Sequence, residues 1–278
     1  MTKLAELDRD LAQRLGPYAS YATDVDPILE ETHGDGPSEE VDRLLDLFAT
    51  PTSRVLDIGC GSGFTLCKLA PQVAGVWGLE PDPDRLTAAR LRVAELGLAN
   101  ATVVAGSTVN ANDVARLPDE TFDLVLSRRG PNVNDAVLAK MTPSAMVVQE
   151  LFQDPLGLLE IFGRKTLVAD LGDNPGWLLE AYSWLGLMPV SIKEYYFESY
   201  FRDAEHLGAY LSLETMLFSW PIPAMPYEEA RDRAALELYV RYNTTPKGVR
   251  VINHHMVYLF RRERMQYAPV APELEPLE

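Results

Sequence analysis

The chain is poor in the residues that build covalently or metal-stapled scaffolds. Its 278 residues include two cysteines and four histidines. Cys60 and Cys67 cannot make a disulfide framework, and their spacing matches no zinc site. No apolar run approaches the roughly 20 residues that span a bilayer. Residues 1–16, MTKLAELDRDLAQRLG, are charged throughout and lack the apolar stretch of a signal peptide. Positive charge is also scarce, with 25 Lys and Arg against 41 Asp and Glu and a net charge of −16. An acidic chain repels phosphate backbones and gains little from counterion release, which argues against sequence-independent nucleic-acid binding. These absences exclude a membrane span, a secreted disulfide scaffold and a zinc finger. The expectation is a cytoplasmic, metal-independent protein with no membrane partner.

What the chain does have is an ordinary globular composition, 47% apolar and 24% charged, and enough length to bury a sizeable core. Leu4, Leu7, Leu11 and Leu15 recur at helical spacing. The turn-rich His33-Gly34-Asp35-Gly36-Pro37 follows, and Ser38 can cap a helix with Glu39 and Glu40 in its first turn. Then comes a regular alternation. Residues 54–58, 73–79, 102–105, 122–126 and 145–152 read as short apolar strands, and helical stretches separate the first of them. Asp82 with Pro83 starts the clearest of these helices and Gly97 ends it. Strands alternating with helices predict βαβ units, hence an α/β, doubly wound, mostly parallel sheet. Beyond residue 152, two long β-rich stretches (190–201 and 249–260) predict an antiparallel pair at the edge of that sheet. Helical patterns between them, split by Trp220-Pro221-Ile222-Pro223-Ala224-Met225-Pro226, predict an inserted cap.

Open parallel sheets bind ligands beyond the carboxyl ends of their strands, where strand order reverses. Here the first strand of the alternation ends in Gly59-Cys60-Gly61-Ser62-Gly63. Glycines at alternate positions allow a tight turn and close approach of a ligand, and the helix that follows favours an anionic group at its start. Glu80, about 20 residues beyond Gly59, ends the second strand, where an acid can accept from both ribose hydroxyls. A dinucleotide fingerprint would need a third glycine at position 64, which is Phe64. Asp57, two residues before the loop, would repel a pyrophosphate and attract an ammonium. The pattern therefore points to a nucleoside cofactor carrying an ammonium and no phosphate.

Val55-Leu56-Asp57-Ile58-Gly59-Cys60-Gly61-Ser62-Gly63, followed by Gly78-Leu79-Glu80-Pro81, resembles the class I S-adenosylmethionine-dependent methyltransferases. Thr102–Thr108, Leu117–Val125 and Met141-Thr142-Pro143-Ser144-Ala145 are similar to further segments of that family. The resemblance covers roughly residues 37–152. It implies a Rossmann-like, seven-stranded sheet with an antiparallel last strand and S-adenosyl-L-methionine as cofactor. It also implies an N-terminal helical lid (1–36), a methyltransferase domain (37–267, with a cap insertion at about 202–248) and a disordered tail (268–278). Carried onto this chain, it places Asp57, Gly59, Cys60, Gly61 and Gly63 at the methionine end and Glu80 on the ribose. Pro81, Asp82, Ser107 and Thr108 fall beside the adenine, and Ser127 at the end of the fourth strand. Ser107 stands where the family usually has an aspartate, so Asn110, Asn112 or Asp113 can supply that contact instead.

The fourth strand ends Ser127-Arg128-Arg129-Gly130-Pro131-Asn132, without the Asn/Asp-Pro-Pro-aromatic motif of nucleic-acid amino-group methylases. Arg128, Arg129 and Gly130 are candidate acceptor contacts. The arginines can bind an acidic acceptor, or one can pair structurally with an acid such as Glu150. Candidate bases are His33, Tyr18, Tyr21, Glu150, His254 and His255, the last two on opposite faces of one strand. The reading is methyl transfer to a small-molecule acceptor by in-line displacement. The alternatives are an S-adenosylmethionine-binding module without turnover, an NAD(P)-dependent oxidoreductase and an RNA methyltransferase.

Overall fold

The computed structural model describes residues 7, 10, 11, 14, 26–119, 121–153, 158–162, 175–212 and 227–263. Phe218, Trp220, Tyr18, Tyr21 and the expected tail (268–278) lie outside the described residues.

In chain order the elements are β1 (Leu29–Thr32), α1 (Pro37–Phe48), β2 (Arg54–Ile58), α2 (Phe64–Leu69), β3 (Gly75–Glu80), α3 (Pro83–Leu96), β4 (Ala101–Ala105), α4 (Ala111–Ala115), β5 (Phe122–Arg128), α5 (Asp135–Leu138) and β6 (Met141–Gln153). They continue with α6 (Leu158–Ile161), α7 (Pro175–Trp184), β7 (Leu187–Phe201), α8 (Ala204–Leu211), α9 (Glu229–Asn243), β8 (Thr244–Thr245) and β9 (Gly248–Arg262). The strands form one sheet in the order β1-β7-β9-β6-β5-β2-β3-β4, with the two-residue β8 beside β9. Strands β2 to β6 are parallel. The last long strand, β9, runs antiparallel to both its neighbours, β6 and β7. The sheet is thus mostly parallel with an antiparallel last strand, as expected. That strand is inserted between β6 and β7 rather than at the rim, and β1 and β8 bring the sheet to nine strands.

Local sequence explains the element ends. Asp82 accepts from the backbone N–H groups of Asp84 and Arg85 (3.0 and 2.9 Å), Pro83 takes the first helical position, and Gly97 closes α3 in the left-handed region (φ 66°). At α1 the expected cap, Ser38, is displaced. Pro37 sets the first helical φ, so Gly36 becomes the N-cap, and the Glu39 carboxylate accepts from the Gly36 N–H (3.0 Å). The fifth strand of the alternation begins at Met141, four residues earlier than its apolar pattern suggests. A register shift opposite Phe122 and Leu124 accommodates Pro143, which has no N–H to give the ladder. Leu29–Thr32 pairs with the far end of β7 instead of extending the N-terminal helical segment. Leu7, Asp10, Leu11 and Arg14 of that segment are helical, with Leu7 and Leu11 packed on Ala88 of α3.

Two cores sandwich the sheet. One face is covered by α1, α2 and α3 (Val41, Leu44, Leu66, Leu69, Val93) and the other by α4, α5 and α7 (Val114, Val137, Leu178, Tyr182). A third cluster joins α6, α8 and α9 to the protruding ends of β7 and β9 through Phe201, Leu207, Leu236, Val249 and Val251. Among the described residues no helix is long and apolar enough to cross a membrane.

Candidate active site

The order of the sheet reverses between β2 and β5, and the carboxyl ends of both strands carry the residues the sequence singles out. Gly59, Gly61 and Gly63 all sit in the left-handed region (φ 75°, 55° and 78°). Two of them are required by the protein itself. A Cβ on Gly59 would lie 2.8 Å from the Pro131 ring, and one on Gly63 would lie 2.9 Å from the Cβ of Ala89. Gly61 differs, since no described atom lies within 4 Å of where its Cβ would stand. Of the three glycines of the loop, it is the one that meets open space among the described residues.

Glu80 ties the loops together. One carboxylate oxygen accepts from the Gly61 N–H (2.8 Å) and the other from the Asp82 N–H (2.9 Å), while the Glu80 carbonyl accepts from the Gly106 N–H (3.0 Å). The acid at the end of β3 is thus buried yet held by backbone donors from the glycine loop and the start of α3. Each carboxylate oxygen keeps a further lone pair for a ligand hydroxyl. The loop after β5 closes the other side. Gly130 approaches the Ile58 carbonyl so closely that a Cβ would stand 2.5 Å from it. Ser127 is fully buried and its hydroxyl donates to the Pro131 carbonyl (2.8 Å).

Asp57 is buried beneath this junction, and no hydrogen bond from the described residues reaches its carboxylate. Burial pushes its pKa up to about 7; the charge of Arg128 opposes the rise and that of Glu80 adds to it. A carboxylate in this state is stabilised by an arriving cation. Cys60 turns inward, with its sulfur where a Cβ on Gly78 would collide, and burial raises its thiol well above the ordinary range. Its backbone lines the loop and its side chain is filling.

On the side expected to face adenine, Pro81 is exposed, and the Asp82 carboxylate is committed to capping α3. The Ser107 N–H donates to Asp113 (3.1 Å) and the Ser107 hydroxyl accepts from the Val109 N–H (3.3 Å). Among Asn110, Asn112 and Asp113, it is Asp113 whose side chain bonds Ser107, while the Asn110 N–H donates to the Ser107 carbonyl (3.2 Å). Asn110 caps α4, its side chain accepting from the Asn112 N–H. The Thr108 carbonyl accepts from Asn134 (2.9 Å), which links the loops after β4 and β5.

The base candidates are scattered. His33 lies exposed in the turn between β1 and α1. His254 Nε2 lies 2.7 Å from Glu194 on the α7 face of the sheet, and its ring stacks on Tyr196. His255 points to the α1 face, where its Nδ1 lies 2.8 Å from Glu150. Arg128 donates to the other Glu150 oxygen (2.9 Å) and to the Ser38 hydroxyl (2.6 Å). Burial alone would raise the Glu150 pKa, but the hydrogen bond from His255 and the charges of Arg129 and Arg128 hold it down at about 2. Glu150 is therefore a fixed anion at neutral pH, and of the two readings of Arg128 the pairing with Glu150 is the one observed. Arg129 stays exposed, and it is the non-glycine residue with a left-handed φ (55°) among the described residues.

Sequence reading missed two features. Arg92 is fully buried on α3 and donates to the Ser62 carbonyl, propping the loop from behind. Its signal was present, since an arginine follows Ala88 and Ala89 on the apolar stripe of that helix. The loop after β5 is held by Tyr182 and Gln149. The Tyr182 hydroxyl accepts from the Val133 N–H (2.7 Å) and donates to Gln149, which in turn donates to Asn132 (2.6 Å). No local pattern announces these bonds, because the partners come from different segments of the chain.

Comparison with known proteins agrees with this architecture. Residues 55–146 match the model of a methyltransferase domain family. An uncharacterised methyltransferase from Schizosaccharomyces pombe is 40% identical over 76 residues, which is 27% of this chain and 26% of that protein, so the likeness spans about a quarter of the relative's length. A provisionally assigned methyltransferase from Bacillus halodurans C-125 shares the fold at a TM-score of 0.56 and 15% identity, covering 81% of this chain and 99% of that one. A provisionally assigned sarcosine dimethylglycine methyltransferase from Galdieria sulphuraria does so at 0.55 and 17%, covering 93% and 98%. The matched segment holds β2 to β5, the glycine loop and Glu80, so residues 55–146 are similar in sequence to a methyltransferase domain, and the chain as a whole shares the fold of the two solved structures.

Proposed function

We propose that the protein transfers a methyl group from S-adenosyl-L-methionine to a small-molecule acceptor. The observation that carries this reading is the arrangement at the switch point: a buried carboxylate that no hydrogen bond from the described residues reaches, a glycine with no described atom near its Cβ position, and an acid whose oxygens accept from both flanking loops. These residues fit the cofactor. Asp57 would pair with its ammonium, the loop of Gly59 to Gly63 would pass beside its methionine tail, and Glu80 would take the ribose hydroxyls. Pro81, Asp82, Ser107 and Thr108 would border the base. The cofactor supplies an activated methyl on sulfur, and the protein supplies position and exclusion of water.

The acceptor side is proposed at Arg129 and Gly130, at the end of β5. Arg129 is exposed at that point, and we assign it to an anionic group on the acceptor. A net charge of −16 favours a small molecule over a nucleic acid. Soluble protein titrated with S-adenosylmethionine in a calorimeter should bind saturably. No saturation at millimolar donor would sink the proposal. Tight binding with no product from any acceptor would favour a binding module, displacement by NAD(P) an oxidoreductase, and steeply salt-dependent RNA affinity an RNA methyltransferase.

Two predictions arise here. Glu80→Ala should weaken binding by about 1–3 kcal/mol, the cost of leaving buried polar groups unpaired. Calorimetry checks it, and wild-type affinity in this variant would refute the ribose assignment. The second concerns pH. The folded protein holds the Asp57 proton up to about pH 7, and only the ionised form attracts an ammonium. Affinity should therefore rise with pH through the region around 7, where Asp57 is half ionised, and level off only about one unit above it. Without ligand the sign reverses for stability: the raised pKa means the native state binds more protons than the unfolded chain between the ordinary aspartate value and about 7, so melting temperature should fall across that window.

A further inference from the structure

The ladders place four ionisable residues in one line. Asp57 of β2 pairs with Leu126 of β5, and two residues further on, on the same face, stands Arg128. Arg128 pairs in register with Glu150 of β6. Glu150 pairs with Val257 of β9, and two residues from it on the same face is His255. Asp57, Arg128, Glu150 and His255 thus cross four adjacent strands at the carboxyl end of the sheet, all on the face covered by α1. Below the row the same face is apolar, with Val55, Leu126, Val148 and Val257 packed beneath α1. The row is therefore where that core meets the cofactor crevice, and every member of it is buried or nearly so: the side chains of Arg128, Glu150 and His255 are 12%, 2% and 6% exposed.

Acidic and basic side chains alternate along the row. Glu150 is held by both neighbours, Arg128 at 2.9 Å and His255 at 2.8 Å, and Ser38 at the start of α1 accepts a second bond from Arg128 at 2.6 Å. These bonds fix the guanidinium one strand away from Asp57. With strands about 4.8 Å apart and about 3.3 Å per residue, the offset puts the two Cβ atoms within about 8 Å. Other ionisable groups facing Asp57 are Glu80 from β3 and the Cys60 thiol from the glycine loop, and neither brings positive charge.

We infer that Arg128 is a positioning residue for cofactor capture: held by Glu150 and Ser38, its guanidinium favours the charged form of Asp57, the form that an ammonium recognises. Glu150 both fixes and partly neutralises that cation, and His255 fixes Glu150. The row itself exists whether or not the cofactor assignment is right; only the use of Asp57 by an ammonium rests on that assignment.

The test follows the Asp57 carboxyl carbon by ¹³C NMR as a function of pH, with no cofactor present. Glu150→Gln removes the anion and leaves the cation, so the Asp57 midpoint should fall below that of wild type. Arg128→Gln combined with Glu150→Gln removes both partners and strands no buried charge, and the midpoint should rise above wild type by about one pH unit. Arg128→Lys keeps the charge and should stay near wild type. A structural disturbance alone would not move the midpoint in opposite directions. Calorimetry with S-adenosylmethionine then reads the consequence, roughly a fivefold loss of affinity near pH 7 in the double variant. An unmoved midpoint in a double variant that melts cooperatively overturns the inference. Shifts of the expected sign together with no binding of S-adenosylmethionine by wild type uphold the row and overturn the cofactor reading.

Discussion

Gly61→Arg is expected to lose S-adenosylmethionine binding altogether while melting close to wild type. The reason is the direction in which this residue faces. No described protein atom lies within 4 Å of its Cβ position, so the protein has room for a side chain there. The cost to the free fold is that of a left-handed φ of 55° in a non-glycine residue, about 1–2 kcal/mol. In a chain of this size that lowers the melting temperature by a few degrees, at about 2–4 °C per kcal/mol. The long side chain occupies the space into which the cofactor tail is proposed to fit, and the backbone N–H of residue 61 can still reach Glu80. Calorimetry and thermal melting on one sample decide the matter. Binding within threefold of wild type would mean that the open space at Gly61 is not the ligand's.

Gly63→Val is the opposite case in the same loop, and its expected effect is on the fold. The backbone is again left-handed, at φ 78°, a conformation that a β-branched residue all but never adopts. Here the new Cβ would stand 2.9 Å from the Cβ of Ala89 and 3.1 Å from its Cα. Those atoms belong to a helix that is itself packed on β3 and β4, so the neighbour has little freedom to retreat. Backbone strain and overpacking together cost about 2–5 kcal/mol. The melting temperature should fall by about 5–15 °C. A variant melting within two degrees of wild type would show that α3 yields easily and that the third glycine is not a packing requirement. The two substitutions separate a glycine proposed to face the ligand from one packed against the protein.

The glycine loop and its flanking elements were legible because their signals are local. The run from Val55 to Gly63 is a strand, a turn and a helix start within one short segment, and Asp82, Pro83 and Gly97 mark both ends of α3 by side-chain and backbone chemistry that needs no distant partner. The position of Glu80 follows from the length of one βα unit. The antiparallel last strand was legible for a related reason, since two long β-rich stretches joined by helices leave few ways to pair.

The rest depended on contacts between segments far apart in sequence. Ser38 reads as a helix cap, yet Pro37 moved the cap to Gly36 and left the hydroxyl to Arg128, 90 residues away. Arg128 itself was undecided between acceptor and structural partner, because only the register of β5 against β6 places Glu150 beside it. Leu29–Thr32 carries too weak a β pattern to announce itself and becomes a strand because the end of β7 offers an unpaired edge. Sequence alone thus determined which backbone turns at the switch point and which acid ends β3, since steric and capping rules act over a few residues. Tertiary structure decided which charges neutralise one another, because an ion pair is set by distance and burial, and both are properties of the assembled sheet.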